Sequence, residues 1–459
     1  MTAAGDPAPD PERLRVLALL QRHGWNSTSF QILEPGFRYW FASDSLGHDV
    51  AVIGYVDTGG SWVAAGAPVG PAEQLAELTA RFVAEARRAG RRVCCFATEA
   101  RFHEATGWAS LRVGDQPSWA PQDWGAVVKQ SRSLREQLRR ATAKGVGVRQ
   151  VAPGELAAGQ PIRAALDGLI ARWLASRIIA PMGFLVQVDP FTFPDERRFF
   201  VAERDGAVVG FLCVIPIYAR RGWFFEDFLR DPAAPNGTVE LLIDAGMRAA
   251  AAEALPYVTM GLVPLSGELS PWLRAARRWG KSLYDFDGLR AFKAKLKPRT
   301  WDPIFLAYPR AGSGFAAMFD TLTAFARGGL LRFGVETLLR GPAVVMRVLA
   351  ALLVAWTALL ALPLSAPFFP SPAWQYGWVG FDAALAASLF ALSFRWRHRL
   401  ADLLATAVTA NAALSLAQAL AFDLPRRRGP LDLAIAIIAI GAPTFAAALL
   451  WNARLHRSP

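Results

Sequence analysis

Residues 198–230, RFFVAERDGAVVGFLCVIPIYARRGWFFEDFLR, decide the fold class of this chain. Two apolar runs flank Asp205-Gly206, a dipeptide typical of hairpin turns, and WFFEDFLR (223–230) predicts a third strand. A helix from about Val239 to Ala254 and a strand over YVTMGLVP (257–264) are expected next. The order hairpin, strand, helix, strand predicts a mixed α/β unit.

The earlier part of the chain has the same order of predicted elements. Residues 38–125 contain, in sequence, the strands YWFAS, DVAVIGYV and SWVAAGAPVG, a helix over Ala72–Ala89, the strand RRVCCFAT, a short helix near 100–107 and the strand SLRVGDQPSW. Residues 162–309 repeat this order after a helix at 162–179, which predicts a tandem duplication. The order resembles the acyltransferase fold often called GNAT. We therefore expect an N-terminal GNAT-like domain at 1–128 and a C-terminal one, with the catalytic site, at 129–325.

Composition limits the partners and the compartment. The chain has 459 residues, a net charge of +12 and a hydrophobic fraction of 53%, which favours anionic partners such as nucleic acid or lipid headgroups. Cys94, Cys95 and Cys213 lie in apolar strand-like runs without metal-ligand spacing, so they are interpreted as small buried side chains. No cluster of histidines, cysteines or carboxylates predicts a metal site, and no cofactor is expected.

The last third of the chain predicts a transmembrane region of about four helices, at 340–455. The segments Ala343–Ser365, Gln375–Phe394, Leu400–Phe422 and Leu431–Trp451 are each long enough to span a bilayer. Arginines precede the first segment and follow the second, whereas the 363–375 loop has none, which places residues 1–340 in the cytoplasm. The expected location is a multi-pass protein of the inner (cytoplasmic) membrane. Arg426, Arg427 and Arg428 disagree with a simple third crossing.

The stretch 225–240, FEDFLRDPAAPNGTVE, contains the strongest candidates for acid–base chemistry. Asp227 and Asp231 could act as a general base or hold a substrate amine, since nothing in the sequence obviously pairs both. Helix N-termini bind anions, so the turn before the next helix is a candidate binding site, although Asn236 on its own is better interpreted as a helix cap. The substrate-binding candidates here are Arg230, Asn236 and Glu240.

A second candidate site lies in DFDGLRAFKAKLKPRTW (285–301). If this stretch is extended, Lys293, Lys295 and Lys297 share one face of a strand. Together with Arg290 they would bind phosphate or stabilise developing negative charge. The alternative is a basic edge strand that is protected against pairing.

Two further features have competing interpretations. The helix-like stretch 129–149 places Arg132, Arg135, Arg139 and Arg140 close together with only Glu136 to neutralise them, which fits a contact with RNA phosphate or a lipid headgroup and equally a solvated surface helix. Ser266 in VTMGLVPLSGE is a candidate for substrate binding, but no histidine lies nearby in sequence to activate it. A serine that caps a turn is the better interpretation.

These motifs together resemble a known family. SWVAAGAPVGP, SRSLREQLRRATAKG, DFLRDPAAPNGTVELL, MGLVPLSGE and LYDFDGLRAFKAKLKPRTWDPIFLAYP, in this order, are similar to the cytosolic domain of phosphatidylglycerol lysyltransferases, also called multiple peptide resistance factors. The resemblance covers roughly residues 25–310. It implies a tandem GNAT-like enzyme that moves an aminoacyl group, lysyl or alanyl, from aminoacyl-tRNA to the hydroxyl of phosphatidylglycerol or a similar lipid. The product, being less anionic, weakens binding of cationic antimicrobial peptides.

The resemblance leaves two alternatives and one departure. Typical members carry a large membrane domain before the catalytic part, whereas here the order is reversed, so we expect anchoring rather than lipid flipping. One alternative function is CoA-dependent N-acyl transfer, but Pro235-Asn236-Gly237-Thr238 does not match its pyrophosphate-binding turn. The other is a non-catalytic, membrane-tethered module that binds RNA or anionic lipid. It predicts that replacing Asp227 or Asp231 leaves function unchanged.

Overall fold

The chain forms two compact units. The computed structural model describes residues 10–177, 182–280, 284–326, 329–330, 332–334, 337, 342–394, 398–423, 425, 437, 440–441, 443–448 and 450–451. Unit 1 takes the described residues up to Leu330, and unit 2 takes those beyond it. Unit 1 contains the mixed α/β fold, and unit 2 is helical.

The first half of unit 1 follows the predicted order closely. Its elements are α1 (Pro11–His23), β1 (Arg38–Ser43), β2 (Asp49–Asp57), β3 (Ser61–Ala65), α2 (Leu75–Arg88), β4 (Arg92–Thr98), α3 (Ala100–Thr106) and β5 (Ala109–Trp119). Two helices then lead to the second half: α4 (Trp124–Gln130) and α5 (Arg132–Ala143). The helix α5 begins where the Ser131 hydroxyl accepts a hydrogen bond from the Leu134 amide.

The second half repeats the hairpin, strand, helix, strand order. Its elements are β6 (Gly147–Val151), α6 (Pro161–Ala175), β7 (Arg198–Arg204), β8 (Ala207–Ile217), β9 (Gly222–Arg230), α7 (Thr238–Ala252), β10 (Tyr257–Thr259), β11 (Val263–Pro264), α8 (Pro271–Gly280), α9 (Phe286–Lys295), β12 (Thr300–Tyr308) and α10 (Gly314–Phe325). The predicted hairpin at Asp205-Gly206 is confirmed, because β7 pairs antiparallel with β8 across that turn.

The twelve strands in the described part of the chain belong to one sheet. The order is β1-β2-β3-β4-β12-β5-β10-β9-β8-β7-β6, with β11 paired to β5. The parallel pairs are β3 with β4 and β9 with β10, and a helix connects the two strands of each pair: α2 in the first half and α7 in the second. The mixed α/β class is therefore confirmed. The strand β12 belongs to the second half by sequence but lies between β4 and β5, so the halves share one sheet.

The three cysteines confirm their predicted environment. Cys94, Cys95 and Cys213 are all free and buried, and burial raises the pKa of Cys94 to about 12. Unactivated thiols of this kind contribute packing rather than redox chemistry.

Unit 2 contains three well-described helices. They are α11 (Pro342–Leu360), α12 (Pro372–Phe394) and α13 (His398–Gln418). The segments Pro372–Ser393 and Arg399–Ala421 are long and apolar enough to cross a bilayer, and the apolar part of α11, Met346–Leu360, is shorter. About half of the fourth predicted segment, Leu431–Trp451, and the arginines at 426–428 lie outside the described residues.

One glycine fixes the approach of α5 to the beginning of α7. Gly237 precedes α7 with a φ of +96°, and a Cβ built there would lie 2.3 Å from the backbone carbonyl oxygen of Gln137 in α5. Any side chain would therefore collide with fixed backbone as well as strain φ. Because α5 and α7 pack together here, this glycine is a requirement of the tertiary structure.

Gly237→Ala is expected to destabilise unit 1 more than the same substitution at a glycine where the positive φ is the only penalty. The matched control is Gly59→Ala, since Gly59 has a φ of +85° and nothing within 4 Å of the added Cβ. We expect Gly237→Ala to cost about 1–3 kcal/mol more than the control, as overpacking does. A thermal scan with a thiol-reactive dye, which reports exposure of the buried cysteines, measures both variants. Equal midpoints would show that α5 does not press on this position.

Candidate active site at the parting of β9 and β10

The candidate site lies where two parallel strands separate. The pairing of β9 with β10 ends at Phe224 and Thr259. Beyond that point β9 continues along β8 to Arg230. The segment after β10 separates from β9 at Met260 and pairs with β5 from Val263, as β11. Residues two or three positions beyond the last pair, on both strands, therefore stand at the same end of the sheet.

Gly261 allows the backbone to turn away at this place. Its φ is +70°, and a Cβ there would lie 2.7 Å from the Phe224 ring. Only glycine combines this conformation with this close approach.

A buried guanidinium occupies the β9 side. The Arg197 Nη1 donates to Glu226 Oε2 at 2.6 Å, and its Nη2 lies 3.5 Å from Glu34 Oε1; all three side chains are 5% exposed or less. The Arg197 Nε donates to the Thr192 carbonyl at 2.8 Å. Glu34 follows the 3₁₀ turn Phe30–Leu33 near the start of the chain, so this arginine connects the two halves.

The cluster carries more acid than base. Asp227 neighbours Glu226 on β9, and Asp189 acts on both Asp227 and Glu34 through space. Burial, reinforced by Glu226, raises the pKa of Asp227 well above its ordinary value, although Arg197 opposes this. Burial and Glu226 likewise raise the pKa of Glu34. One guanidinium cannot balance these carboxyls, so the cluster must hold protons or bind a further cation.

The unpartnered oxygens point to the same conclusion. Glu34 Oε2 and Glu226 Oε1 are buried and have no hydrogen-bond partner in the part of the chain that the structure describes. Buried polar atoms are normally satisfied, and exceptions are typical of functional sites. An ammonium group, with three N–H donors, is a chemically suitable occupant.

A metal ion is a less suitable occupant. One ligand atom each of Cys213, Glu226 and Asp227 lies within 4.8 Å of the others. However, the Arg197 Nη1 also lies 3.4 Å from Cys213 Sγ, as donor, and binds Glu226. Two of the three ligands thus already accept from a permanent cation, which repels a divalent metal.

Lys293 occupies the opposite side of the parting. Its Nζ donates to the carbonyl oxygens of Met260, Gly261 and Leu262 at 2.6, 3.0 and 3.3 Å. Burial lowers the pKa of Lys293 to about 7. Three acceptors nevertheless require all three ammonium protons, so these bonds favour the charged form. The lysine fixes the backbone that leaves β10.

The prediction of an extended basic strip is wrong. Residues Phe286–Lys295 form the helix α9, which the Asp285 carboxylate caps by accepting from the Gly288 amide. The three lysines therefore diverge rather than share one face. The alternative, a basic edge strand, is also wrong, because the strand that follows is β12 in the middle of the sheet.

Lys295 makes polar contacts that connect helices. Its Nζ lies 2.9 Å from Glu240 Oε1 in α7. With the Gln137 amide of α5 turned to the orientation that satisfies both partners, it donates to the same Glu240 oxygen at 3.0 Å and accepts from Lys295 Nζ at 3.0 Å. These contacts join α5, α7 and α9. Two other residues of the predicted basic strip are exposed. The Arg290 guanidinium carbon lies over the Trp301 ring, 5.1 Å from its centroid, and Lys297 follows the end of α9.

Asp231 lies apart from Asp227 and its neighbouring carboxyls. It lies four residues further along, about 13 Å at strand rise, and its Oδ2 pairs with Arg172 Nε at 2.9 Å. The Asn236 cap prediction is wrong, because Gly237 occupies the N-cap position before Thr238 and no side chain caps α7. Asn236 Oδ1 instead accepts from Arg230 Nη1 at 3.3 Å.

The arginine helix is partly neutralised. Arg139 and Arg140 both pair with Glu136, at 2.8 and 2.7 Å, and Arg135 donates to the Val128 and Lys129 carbonyls. Arg132 is exposed on the first turn of α5. This leaves a smaller basic surface than the sequence suggests.

Ser266 has a structural environment. Its buried hydroxyl accepts from the Asp115 amide at 2.9 Å and donates to the Val263 carbonyl at 2.9 Å. It thereby fixes β11 on β5. A surface cavity of about 340 Å³ near α6 and the β7–β8 turn is lined by none of the candidate residues.

Sequence reasoning missed Arg197, Glu34 and Glu226. Glu226 stands in the quoted FEDFLRD motif, but nothing distinguished it from its neighbours. Glu34 follows the apolar stretch FQIL, which forms a buried turn. An acid in such a setting is the signal that could have suggested a buried partner.

The fold and this site define an α/β protein with a carboxylate-rich cluster where two parallel strands part. The family described as Phosphatidylglycerol lysyltransferase, C-terminal, matches residues 17–308. The chain belongs to this family.

Individual relatives agree with that assignment. The phosphatidylglycerol lysyltransferase of Bacillus subtilis (strain 168) is 27% identical over 324 residues, which is 68% of this chain and 36% of the relative. The chain thus matches about a third of that relative's length.

Two solved structures share the fold of unit 1. The C-terminal DUF2156 domain from Agrobacterium fabrum has a TM-score of 0.59 at 22% identity, covering 70% of this chain and 100% of that one. L-PGS from Bacillus licheniformis has a TM-score of 0.59 at 22% identity, covering 69% and 96%. At this identity the likeness concerns the fold alone.

Asp227 and Asp231 should contribute to stability with opposite pH dependence. The pKa of Asp227 is raised on folding, so its stabilising contribution is complete below its ordinary pKa of about 4 and is lost as the pH rises. The amide of Ala233 and the Arg172 side chain lower the pKa of Asp231, so its contribution is present above that value and is lost on acidification.

Asp227→Asn is therefore expected to raise the melting midpoint at pH 8 by roughly 2–4 °C, the shift that about 1 kcal/mol causes in a large domain. The gain should vanish near pH 4. Asp231→Asn should instead lower the midpoint at pH 8. Melting curves between pH 4 and 8 measure the midpoints of both variants. A lower midpoint for Asp227→Asn than for the wild type at pH 8 would mean that nearby positive charge already compensates the Asp227 carboxylate.

Proposed function

We propose that this chain transfers an aminoacyl group from a charged tRNA to the hydroxyl of phosphatidylglycerol or a similar lipid. The observation that carries the proposal is membership of the lysyltransferase C-terminal family across residues 17–308. The repeated hairpin, strand, helix, strand order supports a tandem GNAT-like architecture for unit 1. The site residues and the lipid acceptor are part of the same proposal.

The acidic cluster suits the aminoacyl end of the donor. Every aminoacyl ester carries an α-ammonium group, and a lysyl ester carries a second ammonium. Glu226, Glu34 and Asp227 offer carboxyl oxygens that lack enough positive charge nearby. Binding the ammonium would replace the protons that Glu34 and Asp227 hold in the free protein and satisfy the unpartnered oxygens of Glu34 and Glu226.

The reaction exchanges one ester for another. The lipid hydroxyl attacks the aminoacyl carbonyl, its proton is taken up by a base, and the tRNA ribose hydroxyl leaves. The bonds broken and formed are alike, so positioning and charge stabilisation are the main requirements. Asp227, with its raised pKa, suits the base role if the amine is held by Glu226 and Glu34.

Lys293 supports the site from the other strand. Because its ammonium binds three carbonyls, it places positive charge beside the backbone of Met260–Leu262 without extending into the parting. That charge would favour a developing oxyanion nearby. Lys295 acts at a distance, by holding Glu240 and thus α7.

Unit 2 would anchor the enzyme in the inner (cytoplasmic) membrane, with unit 1 on the cytoplasmic side. Two helices of spanning length, together with the shorter α11, support a membrane region. Attachment would keep unit 1 beside its lipid substrate and raise the effective concentration of the acceptor.

The beginning of α7 argues against CoA chemistry at this site. A CoA pyrophosphate on a GNAT-like fold needs free amides at that helix terminus. Here the Gln137 carbonyl presses on Gly237, and Glu240 occupies the first turn of α7. The carbonyl oxygen would repel a pyrophosphate, and the Glu240 carboxylate is already paired with Lys295.

Expression of the full chain in a bacterium that lacks aminoacylated lipids should produce a ninhydrin-positive phospholipid, whose mass identifies the amino acid. Asp227→Asn should lower its amount at least about 100-fold, the effect of losing a general base or a buried ammonium partner. Asp205→Asn is the control, because this aspartate is 84% exposed in the β7–β8 turn.

Isolated membranes then test the donor. Product formation should require charged tRNA and should stop after ribonuclease treatment. A folded protein that gives no lipid product would contradict the proposal. Full activity of Asp227→Asn would instead favour the non-catalytic RNA- or lipid-binding module.

A further inference from the structure

The helix α10 is apolar on both sides. Ala317, Thr321 and Ala324 face the sheet and are buried. On the outside, Phe315, Phe319 and Leu322 are 72%, 53% and 50% exposed. A helix on a protein surface normally presents polar side chains to water, so an outer face of this kind indicates a covering partner.

The outer face of α10 is also without charge. The only ionisable residue of the helix is Asp320, which is buried and pairs with Arg92 at 2.6 Å. Phe315, Phe319 and Leu322 are spaced i, i+4, i+7, so they form one continuous stripe along about two turns.

The helix α8 extends this stripe. The Trp272 ring, 37% exposed, lies with its centroid 6.1 Å from that of Phe315. We call Trp272, Phe315, Phe319 and Leu322 the aromatic stripe. Tryptophan is enriched where one end of a side chain contacts lipid and the other contacts water.

Exposed arginines lie on the elements that neighbour the aromatic stripe. Arg274 and Arg278 are exposed on α8. The basic run RRAGRR (87–92) ends at Arg92, whose guanidinium, 62% exposed, reaches α10 through Asp320. Apolar side chains bordered by cations are the composition of helices that lie in the interface of an anionic bilayer.

We propose that the aromatic stripe docks unit 1 on an anionic bilayer, with the exposed arginines of the neighbouring elements at the headgroups. The proposal rests on the membrane function above and adds the surface that faces the lipid. The continuity of the chain supports a bilayer as the occupant, because residues 326–341 alone join α10 to the first apolar helix of unit 2. An RNA partner would not require these exposed apolar side chains.

The test places a spin label on the stripe of the full-length protein. The introduced residue is Phe319→Cys, and Leu322→Cys is a second stripe position in case the first perturbs folding. The control is Leu46→Cys, 79% exposed in the loop between β1 and β2. The three native cysteines are buried, so labelling is selective.

The protein is reconstituted into vesicles of phosphatidylglycerol and phosphatidylcholine. Labels on the stripe should be accessible to oxygen, which dissolves in lipid, and protected from a water-soluble nickel chelate. The expected depth is about 5–10 Å, as for interfacial helices. The label at position 46 should show the reverse. In pure phosphatidylcholine the stripe labels should lie closer to water.

Three results would overturn the proposal. Equal nickel accessibility at positions 319 and 46 would show that the stripe faces water. Protection from both reagents would show that protein covers it, either residues 331–459 or a second copy. Equal depth in both vesicles would remove the role of the arginines. Because none of these readouts needs turnover, lipid product formed by an undocked protein would reject the docking surface and leave the proposed function intact.

Discussion

The structure of the candidate site depends on one buried guanidinium. Arg197 lies between Glu34, from the first half of unit 1, and Glu226 on β9 of the second half. Removing one partner of a buried pair typically costs about 3–5 kcal/mol, because the other charge is left uncompensated. Arg197 therefore holds the two halves in register. It also leaves the cluster acidic, since a single cation faces several carboxyls.

The excess carboxyls lie at the point where β9 separates from β10, which makes this place the candidate site. On one side stand Glu226 and Asp227, and on the other Lys293 holds the carbonyls of Met260–Leu262. Gly261 permits the turn that separates the strands. The proposed aminoacyl transfer would require ammonium recognition on the acidic side and charge stabilisation on the basic side. The fold brings candidate groups for both to the same end of the sheet.

The sequence was sufficient for the elements and insufficient for the contacts between them. Apolar periodicity and the Asp205-Gly206 turn predicted β7, β8 and β9, because these signals are local. The prediction of a strand at Lys293–Lys297 was wrong. Alternating lysines suggest a strand, whereas the Asp285 cap and the packing of α9 impose a helix. Asp227 was selected without its partners. Arg197 and Glu34 are 163 residues apart, and only tertiary structure brings such a pair together.

In the proposed mechanism the carboxyls around Asp227 exchange protons for the ammonium of the aminoacyl group. Lysinamide and alaninamide are stable substitutes for the two candidate esters. Calorimetry of their binding to the full chain near pH 6.5, in buffers of different ionisation enthalpy, measures the protons released. We expect net proton release by the wild-type protein and a smaller release by Asp227→Asn. Binding without proton release, or an identical release by the variant, would contradict this mechanism.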